Sequence, residues 1–484
     1  MSGIRAAGLP STARTGKGGS MTDDATTFDL IVIGLGPGGE HVAGTLAEKG
    51  LRVLGVDHGL VGGECPYWGC VPSKMMVRAA DALAEARRVG DLAGRVGEVV
   101  PDWSVVARRI REEATDDWND KAAVERFTGK GGTFVRGTGR LTAPGTVDVD
   151  GTRYAARQGV VVNTGTRAAI PPVPGLDETP HWTNHEIIEA RELPASLVVL
   201  GGGAIGCELG QVMARFGVEV TIIEAAPRLV ALEEPEAGDL LKQVLEAEGV
   251  TVHVGAAAER VAADGDGVAV HLAGGTVVRG ERLLVATGRH ADPAAVGLDT
   301  VGVPKDARTA PVDDRCRVTG NADDEGAARV WAVGDITGKG AFTHVSMYQA
   351  GVVIRDVLGE DGPPADYEAL PRVTFTDPEV GAVGLTEAQA RERYSSVQVG
   401  LTPLAETTRG WIHAKGNEGF IKVVSDADRG VLVGATTMGP AGGEVMGALA
   451  VAVHAHVPIE RLRSMIYAYP TFHRGIEDAL GRLA

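Results

Sequence analysis

Short apolar runs that end in glycine clusters recur along the chain, and two of them open the same succession of elements. The first run, Phe28–Ile33, leads into the glycine turn Gly34–Gly39. A helical pattern follows at Glu40–Lys49, and a second apolar run at Val53–Val56 ends in Asp57. Short apolar runs bounded by glycine are typical of buried strands, so the pattern predicts a strand–helix–strand unit.

The same unit is repeated far downstream. The apolar run Leu197–Leu200 leads into Gly201–Gly206, and a helical pattern extends to about Phe216. A further run at Val218–Ile223 ends in Glu224. Two such units in one chain predict two doubly wound, Rossmann-like α/β regions.

Proline and glycine clusters divide the rest of the chain. Pro171–Gly175 and Gly359–Pro364 are typical of domain boundaries. Further short strands are predicted beyond the second cluster, at Val373–Phe375, Ile421–Val424 and Val431–Ala435. The predicted fold class is therefore α/β, with two Rossmann-like domains followed by a C-terminal α+β domain.

Both glycine turns match the pattern that holds a dinucleotide. The first glycine permits a tight turn, the second lets the backbone approach a pyrophosphate, and the third lets helix and strand pack closely. An acid about 20 residues later accepts hydrogen bonds from ribose hydroxyls. The alternative is a plain tight turn in a glycine-rich chain. The candidate residues are Gly34, Gly36, Gly39 and Asp57 in the first unit, and Gly201, Gly203, Gly206 and Glu224 in the second.

The acid of the second unit bears on the choice of nucleotide. Glu224 favours NADH over NADPH because a carboxylate repels a ribose 2′-phosphate, although Arg228 lies close enough in sequence to bind such a phosphate.

Composition narrows the possible partners. The chain of 484 residues has a formal net charge of −17, which disfavours binding to nucleic acid or to anionic lipid. No apolar run approaches the roughly 18 residues of a membrane helix, so no membrane partner is expected. Only four cysteines occur, which argues against a secreted disulfide framework and favours a cytoplasmic protein. The first twenty residues lack an apolar segment and are expected to form a flexible tail.

Two of the cysteines, Cys65 and Cys70, follow the first unit closely in the segment Gly62–Lys74. This spacing can bring two sulfur atoms within disulfide reach. Structural zinc is the alternative, but it needs four ligands, and Cys207 and Cys316 stand alone in the sequence. No metal site is therefore predicted.

The segment Gly62–Lys74 closely resembles the redox-active segment of the flavoprotein disulfide reductases, which include lipoamide dehydrogenase, glutathione reductase and mercuric reductase. Further segments resemble the family's domain junctions, its second FAD motif and the start of its dimerisation domain: 163–165, 286–289, Gly334–Asp335 and Thr374–Gly384. The resemblance implies an FAD-binding domain at 27–167 and 290–358, an NAD(P)-binding domain at 168–289 and a dimerisation domain at 365–484, after a flexible extension at 1–26.

The resemblance also implies how the residues act. Hydride passes from NAD(P)H, with NADH favoured, to FAD and then to a Cys65–Cys70 disulfide. Cys70 is the charge-transfer thiolate, and Cys65 attacks the substrate. Lys74 and Glu208 form an ion pair beside the flavin. The alternative is that these two are surface residues that match the family's ion pair by coincidence. Cofactor contacts are expected from both glycine turns, Asp57 and Glu224, and from Glu64, Lys74, Gly139, Thr164, Gly165, Gly288, Asp335 and Thr343. A homodimer is expected, in which the C-terminal segment completes the partner subunit's site.

The sequence departs from the family near its C-terminus. Tyr469 stands where lipoamide dehydrogenase and glutathione reductase have the acid–base histidine, and Arg474 replaces the glutamate that follows it. A phenol with a pKa near 10 is a poor base at neutral pH. His473 and Glu477, four residues apart, form an alternative dyad if they share a helical face. Trp68, between the two cysteines, is bulkier than the usual residue.

The predicted activity follows from two features of the sequence. The cysteine pair is intact, but the family's histidine and glutamate are replaced by Tyr469 and Arg474. The chain is expected to be an FAD-dependent oxidoreductase whose acceptor is a small-molecule disulfide other than lipoamide or glutathione. Tyrosine at the histidine position resembles mercuric reductase, but the sequence has neither that enzyme's N-terminal metal-binding domain nor its C-terminal cysteine pair. The remaining alternatives are a quinone or diaphorase-type reductase that uses flavin directly, a dihydrolipoyl dehydrogenase, and a redox-sensing nucleotide-binding protein.

Overall fold

A computed structural model describes residues 26–320 and 328–484. The predicted flexible extension at 1–26 therefore lies outside the described residues, apart from Thr26. In the two described ranges, no helix is long and apolar enough to span a lipid bilayer.

The first unit begins with the predicted strand, glycine turn and helix. Its strands are β1 (Thr27–Ile33), β2 (Val53–Asp57), β3 (Thr133–Arg136), β4 (Gly139–Ala143), β5 (Thr146–Val149) and β6 (Thr152–Val162). Its helices are α1 (Pro37–Glu48), α2 (Glu64–Tyr67), α3 (Cys70–Leu92), α4 (Trp103–Arg109) and α5 (Lys121–Gly129), with a π-helical turn at Ile110–Ala114. Helix α1 starts before the predicted Glu40 because the fixed φ of Pro37 suits the first helical position.

The second unit repeats this arrangement. Its strands are β7 (Arg167–Ala168), β8 (Ser196–Leu200), β9 (Glu219–Ile223), β10 (Thr251–His253), β11 (Ala258–Asp264), β12 (Gly267–Leu272), β13 (Val277–Gly280), β14 (Arg282–Val285) and β15 (Arg289–His290). Its helices are α6 (Asn184–Glu189), α7 (Ala204–Arg215) and α8 (Pro235–Ala247). Strands β10, β9, β8 and β14 form a parallel sheet in that order, and the antiparallel sheet β11–β12–β13 packs against it. Val218, predicted to start β9, instead closes the end of α7 by donating its N–H to Met213.

The last part of the chain completes the first sheet and adds a third unit. The strands are β16 (Arg329–Ala332), β17 (Pro371–Thr374), β18 (Glu379–Gly384), β19 (Val397–Pro403), β20 (Phe420–Asp426) and β21 (Val431–Gly439). The helices are α9 (Thr343–Leu358), α10 (Glu387–Arg393), α11 (Thr408–His413), α12 (Gly442–His454), α13 (Ile459–Arg463) and α14 (Gly475–Gly481), with 3₁₀ turns at Leu298–Val301, Asp335–Thr337 and Leu404–Glu406. Strands β17 to β21 form an antiparallel sheet whose buried face packs against α12 and α14.

The first sheet is assembled from two distant parts of the chain. Its strand order is β3–β2–β1–β6–β5–β4, and β16 pairs in parallel with the last residues of β6. Asn163, directly after β6, joins the two parts: its amide oxygen accepts from Gly39 N–H at 2.8 Å, and its amide nitrogen donates to Val333 O at 2.9 Å. The carboxyl ends of β1, β6 and β16 therefore meet at one edge, where α/β sheets bind their ligands. The predicted fold class, α/β with two Rossmann-like regions and a C-terminal α+β domain, is confirmed.

A buried ion cluster joins the second unit to the C-terminal unit. The Lys422 ammonium lies 2.9 Å from Glu234, 2.7 Å from Glu236 and 2.9 Å from Glu387. The side chains of Lys422 and Glu234 are only 3% and 2% exposed. The three carboxylates are close enough together to hold a metal ion, but the ammonium already lies among them. The cluster is therefore a contact between units.

Candidate functional site

The first glycine turn presents bare backbone at the N-terminus of α1. Gly34 has φ +89°, and a Cβ there would lie 2.3 Å from the Asn163 carbonyl oxygen. A Cβ at Gly39 would lie 2.0 Å from Gly34 O, so neither position admits a side chain. The N-cap residue of α1 is Gly36, the first helical residue Pro37 has no N–H, and Gly39 N–H donates to Asn163, which leaves the N–H of Gly38 as the first-turn donor for a phosphate. The carboxylate of Asp57 accepts from Leu35 N–H at 2.6 Å at the same edge. These residues fit the pyrophosphate and ribose of a dinucleotide.

The second glycine turn has the same construction. Gly201 has φ +110°, and a Cβ at Gly206 would lie 2.0 Å from its carbonyl oxygen. The Glu224 carboxylate accepts from the N–H groups of Gly202 and Ala226, both at 2.6 Å. Gly203, in contrast, faces open space. Packing therefore does not account for glycine at this position, and its contact with a pyrophosphate stays a prediction.

Replacing Gly203 with alanine is expected to raise the KM for NADH by roughly tenfold or more without changing the melting temperature, because the new methyl group meets only the pyrophosphate. Steady-state kinetics and thermal unfolding measure the two effects. Gly90→Ala, in α3 and also facing open space, is the matched control and should leave KM unchanged. An unchanged KM in Gly203→Ala would contradict nucleotide binding at this turn.

The two cysteines sit on consecutive helices. Cys65 belongs to the single-turn helix α2, and Cys70 is the first residue of the 23-residue helix α3. Both are free thiols in the structure, and the side chains are hydrogen bonded to each other. The Thr343 hydroxyl lies 3.4 Å from the Cys70 sulfur. The predicted proximity of the two sulfur atoms is therefore present.

The two thiols differ strongly in acidity. The hydrogen bond from Cys65 lowers the pKa of Cys70 to about 6, and the Thr343 hydroxyl and the Lys74 charge act in the same direction against burial. The same hydrogen bond, together with burial, raises the pKa of Cys65 well above its ordinary value. A thiol at a helix N-terminus beside a lysine is a typical stable thiolate. Near neutral pH the pair therefore holds one proton, on Cys65.

The reduced protein is expected to lose its ultraviolet thiolate absorbance as the pH falls through about 6, because Cys70 is ionised only above its pKa. In Cys70→Ser the step should move above pH 8, since Cys65 then titrates like an ordinary thiol with a pKa near 8.5. Lys74→Met should move the midpoint upward from about 6 because a stabilising positive charge is lost. A wild-type midpoint near 8.5 would contradict this difference in acidity.

Lys74 and Glu208 form the predicted ion pair. Lys74 Nζ lies 2.6 Å from Glu208 Oε2, and the carboxylate is only 7% exposed. Glu208 also accepts from Phe375 N–H at 2.8 Å, and the Lys74 ammonium lies 4.7 Å from the centre of the Phe375 ring. The pair thus connects α3, α7 and the start of the C-terminal sheet. Because Glu208 is buried and held by two donors, the surface-coincidence alternative is wrong.

The remaining expected cofactor residues lie around the same edge. The Asp335 carboxylate accepts from the Thr166 hydroxyl at 2.9 Å, and burial raises its pKa. Thr164, directly after Asn163, is exposed. Gly165 (φ +64°) and Gly288 (φ +115°) occupy the two turns between the units, and Gly139 starts β4 against the side chains of β1 and β2. Their contacts with a cofactor stay predictions.

The structure gives the alternative dyad of His473 and Glu477 no support, and a role for either residue stays a prediction. Helix α14 begins at Gly475, so His473 precedes the helix and shares no helical face with Glu477. The Glu477 carboxylate instead lies 3.0 Å from Arg474, in the first turn. Arg474 also lies 5.4 Å from the centre of the Tyr469 ring, and Tyr469 is 65% exposed. Of these side chains, Tyr469 is the one presented to the outside.

A group of residues absent from the sequence prediction surrounds Glu64. The Glu64 carboxylate lies 2.7 Å from His185 Nε2, accepts from Asn184 at 2.8 Å and lies 3.4 Å from Arg289. Its predicted role as a cofactor ligand is untested, and its oxygens here bind protein groups. His185 also stacks on Trp68. No local pattern marks these residues, because they are distant in sequence.

Known proteins resemble the chain over nearly its whole length. The family model for pyridine nucleotide-disulphide oxidoreductase matches residues 28–350, and the model for the dimerisation domain of the same family matches 370–480. A dihydrolipoyl dehydrogenase of Chlorobaculum tepidum is 32% identical over 94% of the chain and 97% of its own length. A mercuric reductase of Streptomyces lividans is 31% identical over 94% and 96%. The structure is similar to the Cu(II) complex of RclA, an HOCl-induced flavoprotein disulfide reductase of Escherichia coli (TM-score 0.81, 26% identity, 94% of this chain and 99% of that one).

Proposed function

Because the chain belongs to the pyridine nucleotide-disulphide oxidoreductase family, whose members are enzymes that use FAD and NAD(P)H, we propose that Cys65 and Cys70 pass electrons from flavin to a disulfide acceptor. The observation that carries this proposal is the hydrogen-bonded thiol pair, in which the pKa of Cys70 is lowered and that of Cys65 is raised. FAD, when bound, would supply the hydride chemistry between NAD(P)H and the Cys65–Cys70 disulfide.

The thiol pair can reduce a disulfide without an external base. Cys65 sulfur attacks one sulfur of the substrate, the substrate S–S bond breaks, and a mixed disulfide forms. As the new S–S bond forms, the proton of Cys65 passes to the first leaving thiolate, which departs as a thiol. Cys70 thiolate then attacks Cys65, which restores the Cys65–Cys70 disulfide and releases the second thiolate. One electron pair leaves the protein, and the substrate takes up the pair and one proton.

Two further side chains support this chemistry. The Lys74 charge stabilises the Cys70 thiolate, and Glu208 holds the ammonium in place. At the position of the family's acid–base histidine, Tyr469 offers a phenol, which can donate a hydrogen bond but is a poor general base at neutral pH. We therefore propose that the substrate's leaving thiolate is stable at neutral pH, which disfavours the alkyl thiols of lipoamide and glutathione.

The assembly is proposed to be a homodimer, and NADH the preferred reductant. The C-terminal unit matches the family's dimerisation domain, and it exposes large apolar side chains, among them Ile466 at 95% and Val451 at 65%. Glu224 favours NADH, and the Arg228 guanidinium donates to the main-chain oxygen of Ala231 at 3.0 Å rather than pointing freely toward a 2′-phosphate.

An anaerobic titration followed by an acceptor panel tests the proposal. Wild-type protein should take up one electron pair more from NADH than Cys70→Ser, and should develop a long-wavelength thiolate–flavin absorbance that the variant lacks. The reduced protein is then mixed with small aromatic disulfides, lipoamide, glutathione disulfide, a quinone, Cu(II) and mercuric ion. Fastest reoxidation by an aromatic disulfide supports the proposal. Faster reoxidation by the quinone, equally in both proteins, would refute it, and fastest reoxidation by lipoamide would make the protein a dihydrolipoyl dehydrogenase.

Mercuric ion is included among the acceptors because the similarity to the Streptomyces lividans mercuric reductase covers 96% of that enzyme. The predicted distinction by an N-terminal metal-binding domain therefore does not separate this chain from that relative. The distinction by a C-terminal cysteine pair remains, since the chain has no cysteine after Cys316. The Cu(II) arm is included because the similar RclA structure is a Cu(II) complex.

A further inference from the structure

An aromatic and ionic cluster joins the segment that carries both cysteines, residues 64–70 (the redox turn), to helix α6 of the second unit. The Trp68 indole stacks on the His185 imidazole with ring centroids 4.3 Å apart and planes 4° apart. His185 Nε2 lies 2.7 Å from Glu64 Oε1. The Trp68 indole N–H also donates to Glu189 at 2.7 Å. One imidazole therefore contacts the residues on both sides of Cys65 in the redox turn.

Two neighbouring groups complete the contact. Asn184 donates its amide hydrogens to Glu64 Oε2 at 2.8 Å and to Trp68 O at 2.9 Å. Arg289, the first residue of β15, lies 3.4 Å from Glu64 Oε2. Both carboxylate oxygens of Glu64 are thus bound by groups of the stretch between 184 and 289. Residues of the second unit therefore bind the redox turn through the Glu64 carboxylate and the Trp68 indole.

We propose that His185 is a positioning residue for the Cys65–Cys70 pair: as an imidazolium, it binds Glu64 and Trp68 and so anchors the redox turn to helix α6. This inference rests on the proposed redox function of the two cysteines. Helix α2 is only four residues long, and a single helical turn is not stable on its own. The position of Cys65 therefore depends on the contacts that α2 makes with its neighbours, and reaction rates depend steeply on such positioning.

The charges around His185 favour its imidazolium form. The hydrogen bond that His185 donates to the Glu64 carboxylate raises the pKa of His185 against burial, and Glu186 and Glu189 on its own helix act in the same direction. Arg289 is the nearby cation, and it lies on the other oxygen of Glu64. An imidazolium bound to a carboxylate and stacked on an indole gains both a charge-assisted hydrogen bond and a cation–π interaction. As the pH rises through the raised pKa, the charge is lost and the anchor weakens.

Tryptophan fluorescence of the holoenzyme tests the contact itself. A protonated imidazole quenches a stacked indole, so wild-type emission should rise with pH, with a midpoint above the ordinary value of about 6.5. The rise comes from Trp68, one of six tryptophans in the chain. His185→Gln should abolish the step. His271→Gln, the same substitution at a histidine that lies 2.9 Å from Arg260 in the second unit, should retain it. A step that persists in His185→Gln would overturn the proposal.

Rapid-mixing half-reactions test the positioning role. His185→Phe keeps an aromatic ring against Trp68 but removes the ion pair with Glu64. Reoxidation of the reduced variant by an aromatic disulfide should be slowed roughly fivefold to tenfold, while reduction by NADH stays unchanged. The wild-type reoxidation rate should also fall above the pH of the fluorescence midpoint, and the variant should lack that inflection.

The outcomes separate this inference from the function on which it rests. Equal slowing of both half-reactions in His185→Phe would indicate general damage and overturn the positioning role. If Cys65→Ser reduces the aromatic disulfide at the wild-type rate, the redox function fails, and the anchor then has no cysteine chemistry to position. A fluorescence step together with a selective loss of reoxidation rate supports both.

Discussion

Replacing Cys65 with serine is expected to lower turnover with a small disulfide by at least about 10³-fold, because the serine oxygen cannot form the mixed disulfide. Serine is close to cysteine in size and keeps a hydroxyl that can donate to Cys70, so the fold and the cofactor sites should be retained. Reduction of the protein's flavin by NADH should therefore stay within about twofold of wild type, since that step does not need the second sulfur.

Cys316→Ser provides the matched control. Burial raises the pKa of Cys316 to about 12, so this thiol is inert at neutral pH. The variant should turn over the disulfide at the wild-type rate, although it carries the same substitution. Steady-state rates with both acceptor and NADH saturating measure the effect. If Cys65→Ser kept more than a tenth of wild-type disulfide turnover, electrons would reach the acceptor by another route, such as directly from the flavin.

Replacing Lys422 with methionine is expected to lower the free energy of unfolding by about 3 kcal/mol, the lower end of the range for removing one member of a buried ion cluster. Burial alone would lower the pKa of Lys422, but the hydrogen bonds that it donates to Glu236, Glu234 and Glu387 raise it, so the ammonium is charged in the folded protein. Without it Glu234 stays buried next to two other carboxylates. The loss stays at the lower end because Glu236 and Glu387 are 41% and 30% exposed.

The pH dependence of this variant separates charge from packing. Without the lysine, mutual repulsion raises the pKa values of the three carboxylates in the folded state above those in the unfolded state. The folded variant then binds more protons than the unfolded chain, so its stability should increase as the pH falls. Thermal unfolding at fixed FAD concentration measures this. Lys242→Met, which removes an ion pair with Glu246 on the surface of α8, should cost less than about 0.5 kcal/mol. A loss in Lys422→Met that does not change with pH would contradict the electrostatic explanation.

The glycine turns were predictable because their geometry leaves a direct trace in the sequence. Gly34 and Gly201 have positive φ and lie against a neighbouring backbone oxygen, and only glycine meets both conditions. The first and last residues of the helices and strands were less predictable, because backbone conformation and hydrogen bonds at the helix ends determine them. Pro37 starts α1 ahead of the apolar pattern, and the N–H of Val218 closes α7 instead of joining β9.

Contacts between distant segments were not predictable from local patterns. The spacing of His473 and Glu477 fits a helical face, but the helix starts only at Gly475. The ion pair of Lys74 with Glu208 was expected only through the resemblance to a family, because no periodicity links the two positions. Nothing in the sequence links Trp68 with His185, since their stacking depends on how the first and second units pack together.

The late return of β16 to the first sheet has a consequence for biosynthesis. Strand β16 pairs with β6 only after the whole second unit has been made, and it brings Val333, to which Asn163 donates. A ribosome therefore releases every strand of the sheet β10–β9–β8–β14 before the first sheet can close. Domains generally fold as units as they emerge, so nascent chains arrested near residue 330, with β14 outside the ribosome and β16 still inside it, should resist protease at 196–285 while 27–162 is still cleaved. Flavin capture would then be among the last events of maturation, with the nicotinamide nucleotide site formed ahead of it.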